Sequence, residues 1–148
     1  MAGAEYEAAY PEQYAIALSE PMEWLRLDTD FMRDNKIRRL SVLGGWEAVG
    51  KYVAFICCLA TCDGHIYDVS TDLGWRFLCA DMSNVGCEMG EAEAHEFVSV
   101  LASLSLIDGQ LFAESKKVAS ERLLREAEVY AKGVAKGRAH AKVLNRKA

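Results

Sequence analysis

A sustained pattern of apolar and polar positions begins in this chain only at about residue 24. From residue 35 onward, apolar side chains recur at helical spacing, and Asp34 can cap the first turn, which predicts a helix over residues 35–43. Gly44 and Gly45 follow and are expected to end this helix. The side chains expected to face a core are Ile37, Leu40, Val42 and Leu43.

Residues 46–62 are apolar on nearly every face and predict the central core helix. Their longest uninterrupted apolar run, residues 52–60, fits a buried helix better than a membrane span, which needs about 20 apolar residues. Asp63 and Gly64 interrupt the pattern. The alternation that follows predicts a short strand over residues 65–69.

Two further helices are predicted downstream. One covers residues 72–82, where Ser70 or Thr71 can accept hydrogen bonds from the first-turn amides. The other covers residues 91–104. Its first turns carry three glutamates, where negative charge is favourable to the helix dipole: Glu91, Glu93 and Glu96.

Residues 106–112 place an Asp-Gly pair between two short apolar pieces, which predicts a β-hairpin, or wing, turning at residues 108–110. A long helical pattern begins at Ser115 and loses its apolar stripe in a small and basic stretch, so order is expected to decline toward the C-terminus. The first 20 residues lack a sustained core pattern and predict a mobile or loosely packed arm.

Together these elements predict a mainly α fold of the winged helix-turn-helix class, in the order helix, strand, helix, helix, hairpin, with a basic C-terminal helix. The predicted division is an acidic N-terminal arm at residues 1–21, a winged-helix domain at 22–115 and a basic helix or tail at 116–148. A chain of 148 residues that is 51% apolar is long enough for one compact domain and too short for a multidomain enzyme.

The formal net charge of −5 hides a strong polarity along the chain. Residues 1–23 hold five acids and no Lys or Arg, whereas residues 116–148 hold ten basic and three acidic residues. A signal peptide begins with basic residues before an apolar segment, whereas this N-terminus is acidic. We therefore predict a cytoplasmic protein with no membrane association. Its five cysteines are expected to remain thiols there.

The basic segments are the expected contacts for nucleic-acid phosphates, provided that the fold brings them to one side. The predicted DNA-binding residues are Arg33, Lys36, Arg38, Arg39, Lys132, Lys136, Arg138, Lys142, Arg146 and Lys147. The helix at residues 91–104 holds no Arg or Lys to read bases. Its acids are expected to face solvent or a basic partner protein instead of a DNA groove.

No catalytic residue, metal or cofactor is predicted. The spacing of the cysteines does not match a zinc finger, so buried thiols in the core are expected. His65, His95 and His140 are isolated from any nucleophile pattern, and we predict that the chain is not an enzyme. Three tryptophans are expected to pack in the core and not to stack on bases: Trp24, Trp46 and Trp75.

One set of residues runs from just before the first predicted helix to the last apolar piece before the basic segment: Trp24, Asp28, Asp30, Phe31, Asp34, Lys36, Ile37, Leu40, Gly45, Gly50, Tyr52, Gly64 and Tyr67, then Leu106-Ile107 and Leu111-Phe112. On these residues the chain resembles the N-terminal winged-helix domain of phage and prophage replisome-organiser-like proteins of Gram-positive bacteria, a domain of unknown function. Residues 120–138 are similar to the helix and basic linker of such proteins. The resemblance implies DNA binding in replication, or docking onto replication proteins.

Two functions from different classes follow. The first is a non-enzymatic, replication-associated protein of a phage or mobile element that contacts double-stranded DNA through its basic segments. The alternative is a protein-interaction module, or an inhibitor that mimics DNA, in which acidic surfaces at residues 1–23 and 88–96 bind a host or phage protein.

Overall fold

The computed structural model describes residues 2–147 and is mainly helical, as predicted. The helices and strands in chain order are α1 (Ala2–Ser19), α2 (Asn35–Ala60), β1 (Ile66–Asp68), α3 (Asp72–Asn84), α4 (Glu91–Ser103), α5 (Gly109–Ser115), β2 (Lys117–Ala119) and α6 (Glu121–Lys147). Short 3-10 turns precede α2, at Phe31–Arg33, and β1, at Asp63–His65.

Helix α2 begins where the sequence predicts, because the side chain of Asp34 accepts hydrogen bonds from the amides of Lys36 and Ile37. The predicted break is also confirmed: Gly45 has φ 70° and ψ −166°, a conformation open to glycine, and α2 bends there. The inward orientation expected of Val42 and Leu43 is wrong. They are 85% and 65% exposed, since no other element within residues 2–147 covers the turn that precedes the bend.

The second half of α2 is the predicted core helix. The largest fully buried side chains from this half are Tyr52, Phe55 and Leu59. They pack with residues of α3, α4 and α6 in one apolar cluster. By length and composition α2 is also the one helix among residues 2–147 that could cross a membrane, a test that core helices pass as well.

The strand and the two helices predicted after the core helix are present. Thr71 caps α3 by accepting from the Gly74 amide. Strand β1 pairs antiparallel with β2 in a two-stranded sheet, with Tyr67 opposite Val118. The Tyr67 hydroxyl donates to the Asp81 carboxylate at 2.6 Å, which ties the sheet to α3, and burial raises the pKa of this tyrosine.

The predicted hairpin at residues 106–112 is absent, and helix α5 takes its place. Asp108 is the N-cap of α5, accepting from the Leu111 amide at 3.0 Å, and Gly109 lacks the positive φ that a two-residue hairpin turn requires. The chain then turns at Lys116, which is left-handed with φ 54°, into β2. Strand β1 therefore pairs with β2, and residues 106–112 form no hairpin wing.

The expectations for the two termini are also corrected. Residues 2–19 form α1, which packs along α6, and they are not a loosely packed arm. Helix α6 continues to Lys147, and it keeps a buried stripe where a decline in order was expected. That stripe is built mainly of alanine, which allows the backbones of α1 and α6 to approach closely.

Candidate nucleic-acid interface

Helix α6 carries most of the predicted phosphate contacts, and its buried stripe determines which of them reach solvent. From its middle to its end, the stripe places a small or branched side chain at every fourth position: Ala131, Ala135, Ala139 and Val143. These residues face α1, whose own buried residues include Ala9 and Ala17. Some cations beside this seam pair with acids of α1, whereas others have no acidic partner in the described residues.

Residues 2–26 follow α6 in the antiparallel direction, and their acids pair with two of the predicted cations. Lys142 Nζ lies 3.0 Å from a Glu12 carboxylate oxygen, and Arg138 lies 2.6 Å from Glu20. The charge polarity seen in the sequence is thus partly neutralised within the molecule. Arg138 and Lys142 are the two predicted DNA-binding residues that the structure ties to glutamates.

The same antiparallel course continues beyond α1. The Trp24 ring packs edge-on against Tyr130, with 5.0 Å between ring centroids. Arg26 Nε lies 3.0 Å from Glu126 Oε2. This hydrogen bond is the main reason why the pKa of the Glu126 carboxyl lies below its ordinary value. These contacts cover the flank of α6 next to residues 24–26.

Other cations of α6 present their side chains to solvent without an acidic partner in the described residues. Lys132, Lys136, Arg146 and Lys147 are exposed and have no carboxylate within 4.0 Å in the part of the chain that the structure describes. Arg125, which the sequence analysis did not single out, is also exposed and unpaired within residues 2–147.

Helical spacing places three of these cations on one line. At about 100° per residue, Arg125, Lys132 and Lys136 project within a sector of about 40°, and they span about 16 Å along the axis. The signal that would have found Arg125 is its seven-residue separation from Lys132. We call Arg125, Lys132 and Lys136 the α6 basic face.

The predicted residues at the start of α2 form a separate group. Arg33, Arg38 and Arg39 are exposed, whereas the Lys36 ammonium donates to the Ser105 carbonyl oxygen at 3.0 Å. This group is anchored near the first turn of α6, because Arg122 lies 3.4 Å from the Asp34 carboxylate and its guanidinium is 5.0 Å from the centre of the Phe31 ring.

The ten predicted residues therefore do not all converge. With a rise of about 1.5 Å per residue, Lys132 lies about 15 Å along α6 from Arg122, and Lys147 lies about 37 Å from it. The cations near the start of α2 and those near the end of α6 are consequently far apart along the helix. The α6 basic face lies between them.

Helix α4, the second helix of the predicted helix-turn-helix, has an acidic start that is partly neutralised. Glu91 lies 3.2 Å from Arg76 Nε, and Glu93 pairs with Lys51, which also contacts Glu47 at 3.3 Å. The hydrogen bond to Glu93 is the main reason why the pKa of Lys51 is raised. No Lys or Arg lies on α4 itself.

The cysteines lie in or against the apolar core, with one exception. Burial raises the pKa of Cys58 to about 12 and that of Cys62 to about 11. Cys57, in contrast, is exposed, although it was expected to be buried. Within residues 2–147, no group of three or more His, Cys, Asp or Glu side chains is placed to hold a metal ion.

Of the three tryptophans, one is buried and two are exposed. Trp75 is buried and stacks on His95, with 3.7 Å between ring centroids, as expected of a core residue. Trp24 is 47% exposed, and Trp46 is 75% exposed at the bend of α2. The prediction that Trp46 packs in the core is wrong, because the bend carries its side chain away from the other helices.

The fold and its charged surfaces define a mainly helical domain with a two-stranded sheet and a long basic helix. The chain belongs to the Lin1244/Lin1753-like N-terminal domain family, whose model matches residues 24–123. Helix α1 and most of α6, including all three residues of the α6 basic face, lie outside the matched residues. Neither a search of curated proteins nor a search of solved structures finds a match.

Proposed function

We propose that this protein contacts double-stranded DNA through phosphates, without enzymatic activity, and that it does so through the α6 basic face. The observation that carries the proposal is that Arg125, Lys132 and Lys136 are aligned, exposed and free of ion pairs within residues 2–147. Duplex DNA carries one charge per about 1.7 Å of its axis, so a line of cations about 16 Å long matches a run of phosphates.

The pairing of α1 with α6 supports this proposal. Glu12 and Glu20, which would repel a phosphate backbone, are held against Lys142 and Arg138. The protein thereby presents a basic surface although its net charge is −5. Contacts of this kind position a protein on DNA but do not read its sequence.

The finer assignments belong to this proposal as well. We infer a winged-helix variant in which the order α2, β1, α3, α4 supplies the helix-turn-helix, and α5 with β2 replaces the hairpin wing. The acids of α4 make entry of this helix into the major groove unfavourable. A role in replication, for a phage or mobile element, is what the resemblance to replisome-organiser-like proteins implies, and the acidic N-terminus is the basis for placing that role in the cytoplasm.

The test compares two double variants that remove the same charge from the same helix. In Lys132→Gln/Lys136→Gln the exposed cations are lost, whereas in Arg138→Gln/Lys142→Gln the cations lost are those paired with α1. Fluorescence anisotropy of a labelled duplex between about 50 and 200 mM salt gives the slope of log affinity against log salt. Loss of two phosphate contacts reduces this slope by about 1.8, at 0.9 per contact.

We expect the Lys132→Gln/Lys136→Gln slope to fall by this amount and the slope of the control to change little. Equal effects of both variants would show a response to net charge alone, and no binding by the unmodified chain at low salt would refute DNA contact. Substitution is preferable to truncation at Ala131, because truncation also removes Ala135, Ala139 and Val143 from the seam with α1.

A protein-interaction module is the second candidate, and two observations favour it. The acidic start of α4 leaves Glu96 exposed and without an ion pair within residues 2–147. Large apolar side chains are exposed at the bend of α2, and contiguous exposed apolar surface is typical of protein interfaces. This function predicts no salt-dependent DNA affinity, so the anisotropy experiment distinguishes the two candidates.

A further inference from the structure

The bend of α2 exposes three large apolar side chains that are close in sequence. Val42, Leu43 and Trp46 are 85%, 65% and 75% exposed, and they stand on either side of the bend at Gly45. Elsewhere, large apolar residues of α2 lie in the core. We call Val42, Leu43 and Trp46 the elbow patch. Its exposure costs free energy that burial against a partner recovers, at about 25 cal/mol per Å².

Two hollows meet at Leu43, and they carry opposite charge. The first is lined by Arg38, Arg39, Val42, Leu43 and Leu104, with Asn35 at its edge and no acid. Arg38 and Arg39 form no ion pair within the described part of the chain. The hollow therefore has a formal charge of about +2.

The second hollow continues from Leu43 toward α4. Its apolar floor is Leu40, Ala48, Phe97 and Val100, and its charged residues are Glu47, Glu93, Glu96 and Lys51. Lys51 contacts both Glu47 and Glu93, so three carboxylates share one ammonium. This hollow has a formal charge of about −2, which balances the charge of the first hollow.

We propose that the elbow patch is a two-fold interface at which two copies of this chain associate. A two-fold interface uses the same surface on both copies, so that surface must be complementary to itself. Here Leu43 lines both a basic and an acidic hollow, whose formal charges are equal in magnitude and opposite in sign. Rotation by 180° about the centre places the basic hollow of each copy against the acidic hollow of the other.

This charge arrangement selects a second copy over other occupants. A purely acidic or a purely basic partner satisfies one hollow and is repelled by the other. The inference is independent of the proposed DNA contact, which rests on α6. It assigns Arg38 and Arg39 to protein contact, whereas the sequence analysis predicted that they contact phosphates.

The test is the oligomeric state of the full chain, measured by sedimentation equilibrium over a range of concentrations. We expect a concentration-dependent dimer. Leu43→Asp places a charge at the centre of the patch and is expected to weaken association at least tenfold. The matched control is Leu73→Asp on α3, at a leucine that is 55% exposed and distant in sequence, which is expected to leave the dimer unchanged.

Charge reversal provides a second measurement that does not depend on the apolar centre. Arg38→Glu/Arg39→Glu makes both hollows acidic, and Glu47→Arg/Glu96→Arg makes both basic, so each variant alone is expected to be monomeric. An equal mixture of the two is expected to restore association to within about threefold of the unmodified chain, a difference of less than 1 kcal/mol. The substituted side chains are exposed, so circular dichroism is expected to show unchanged folding.

The proposal is overturned if the unmodified chain stays monomeric up to about 1 mM, which would leave the elbow patch to another protein. It is also overturned if Leu43→Asp and Leu73→Asp affect association equally, or if the two charge-reversed variants fail to associate when mixed.

Discussion

Two adjacent cysteines on α2 occupy opposite environments. Cys58 is 2% exposed within the apolar cluster, and Cys57 points to solvent. Only the thiolate is a nucleophile, so a thiol with a raised pKa reacts slowly even where a reagent reaches it. The raised pKa of Cys58, about 12, and that of Cys62, about 11, therefore add a chemical barrier to the steric one.

We predict that iodoacetamide at about pH 8 modifies Cys57 first and leaves Cys58 and Cys62 largely unmodified while the protein is folded. Peptide mapping by mass spectrometry measures the order of modification. Cys57→Ser is expected to remove the fast phase. Cys58 and Cys62 react at increasing rates as the pH rises toward 11, because their thiolate fractions increase as the pH approaches their pKa values. Equal rates at Cys57 and Cys58 near neutral pH would contradict this assignment.

At the scale of the elements, the packing of α3 on the sheet depends on one glycine. A Cβ atom built at Gly74 lies 2.4 Å from the Asp68 carbonyl oxygen and 3.1 Å from the Val69 Cα. Both atoms belong to the backbone and cannot rotate away. Gly50, in the interior of α2, has nothing within 4 Å of the corresponding position.

These surroundings predict opposite results for the same substitution. Gly74→Ala is expected to lower the free energy of unfolding by about 1–3 kcal/mol through overpacking. Gly50→Ala is expected to raise it by about 0.5–1 kcal/mol, because alanine loses less backbone entropy in a helix. Urea denaturation followed by circular dichroism measures both, and destabilisation by Gly50→Ala or tolerance of Gly74→Ala would be inconsistent with this packing.

The helices that the sequence predicted after residue 34 carry stripes of large apolar residues, and two of them also begin at a capping side chain. Asp34 and Thr71 cap α2 and α3 by local hydrogen bonds, so their roles depend on neighbouring residues alone. Asp108 and Gly109 illustrate the limit. An Asp-Gly pair suits both a hairpin turn and a helix start, and the choice here follows from the Asp108 amide, which donates to the Ala119 carbonyl oxygen in β2, a contact between separate segments.

The bend of α2 shows a second limit. Its position at Gly45 could be predicted, but the direction in which it turns Val42 and Trp46 could not, because periodicity describes a straight helix. In the same way, the sequence identified most basic residues of the candidate interface. Their pairing with Glu12 and Glu20 depends on the course of α1, which periodicity did not reveal.

At the scale of the whole molecule, the seam between α1 and α6 joins the two ends of the chain. It escaped sequence analysis because alanine contributes little apolar area, and its stripe is visible only when a partner helix is known. The seam also determines which cations of α6 reach solvent. Its integrity therefore bears on the proposed DNA contact as well as on stability.

Close packing of this seam predicts that it does not accept a larger side chain. Ala135 is 0% exposed and faces α1, so Ala135→Leu is expected to lower the free energy of unfolding by about 1–3 kcal/mol. The same substitution at Ala141, on the exposed surface of the same helix, is expected to change it by less than about 0.5 kcal/mol. Native-state hydrogen exchange is expected to show faster exchange along α1 in Ala135→Leu alone. If both variants unfold and exchange alike, α1 is not held against α6, and Arg138 and Lys142 become available to phosphates together with the α6 basic face.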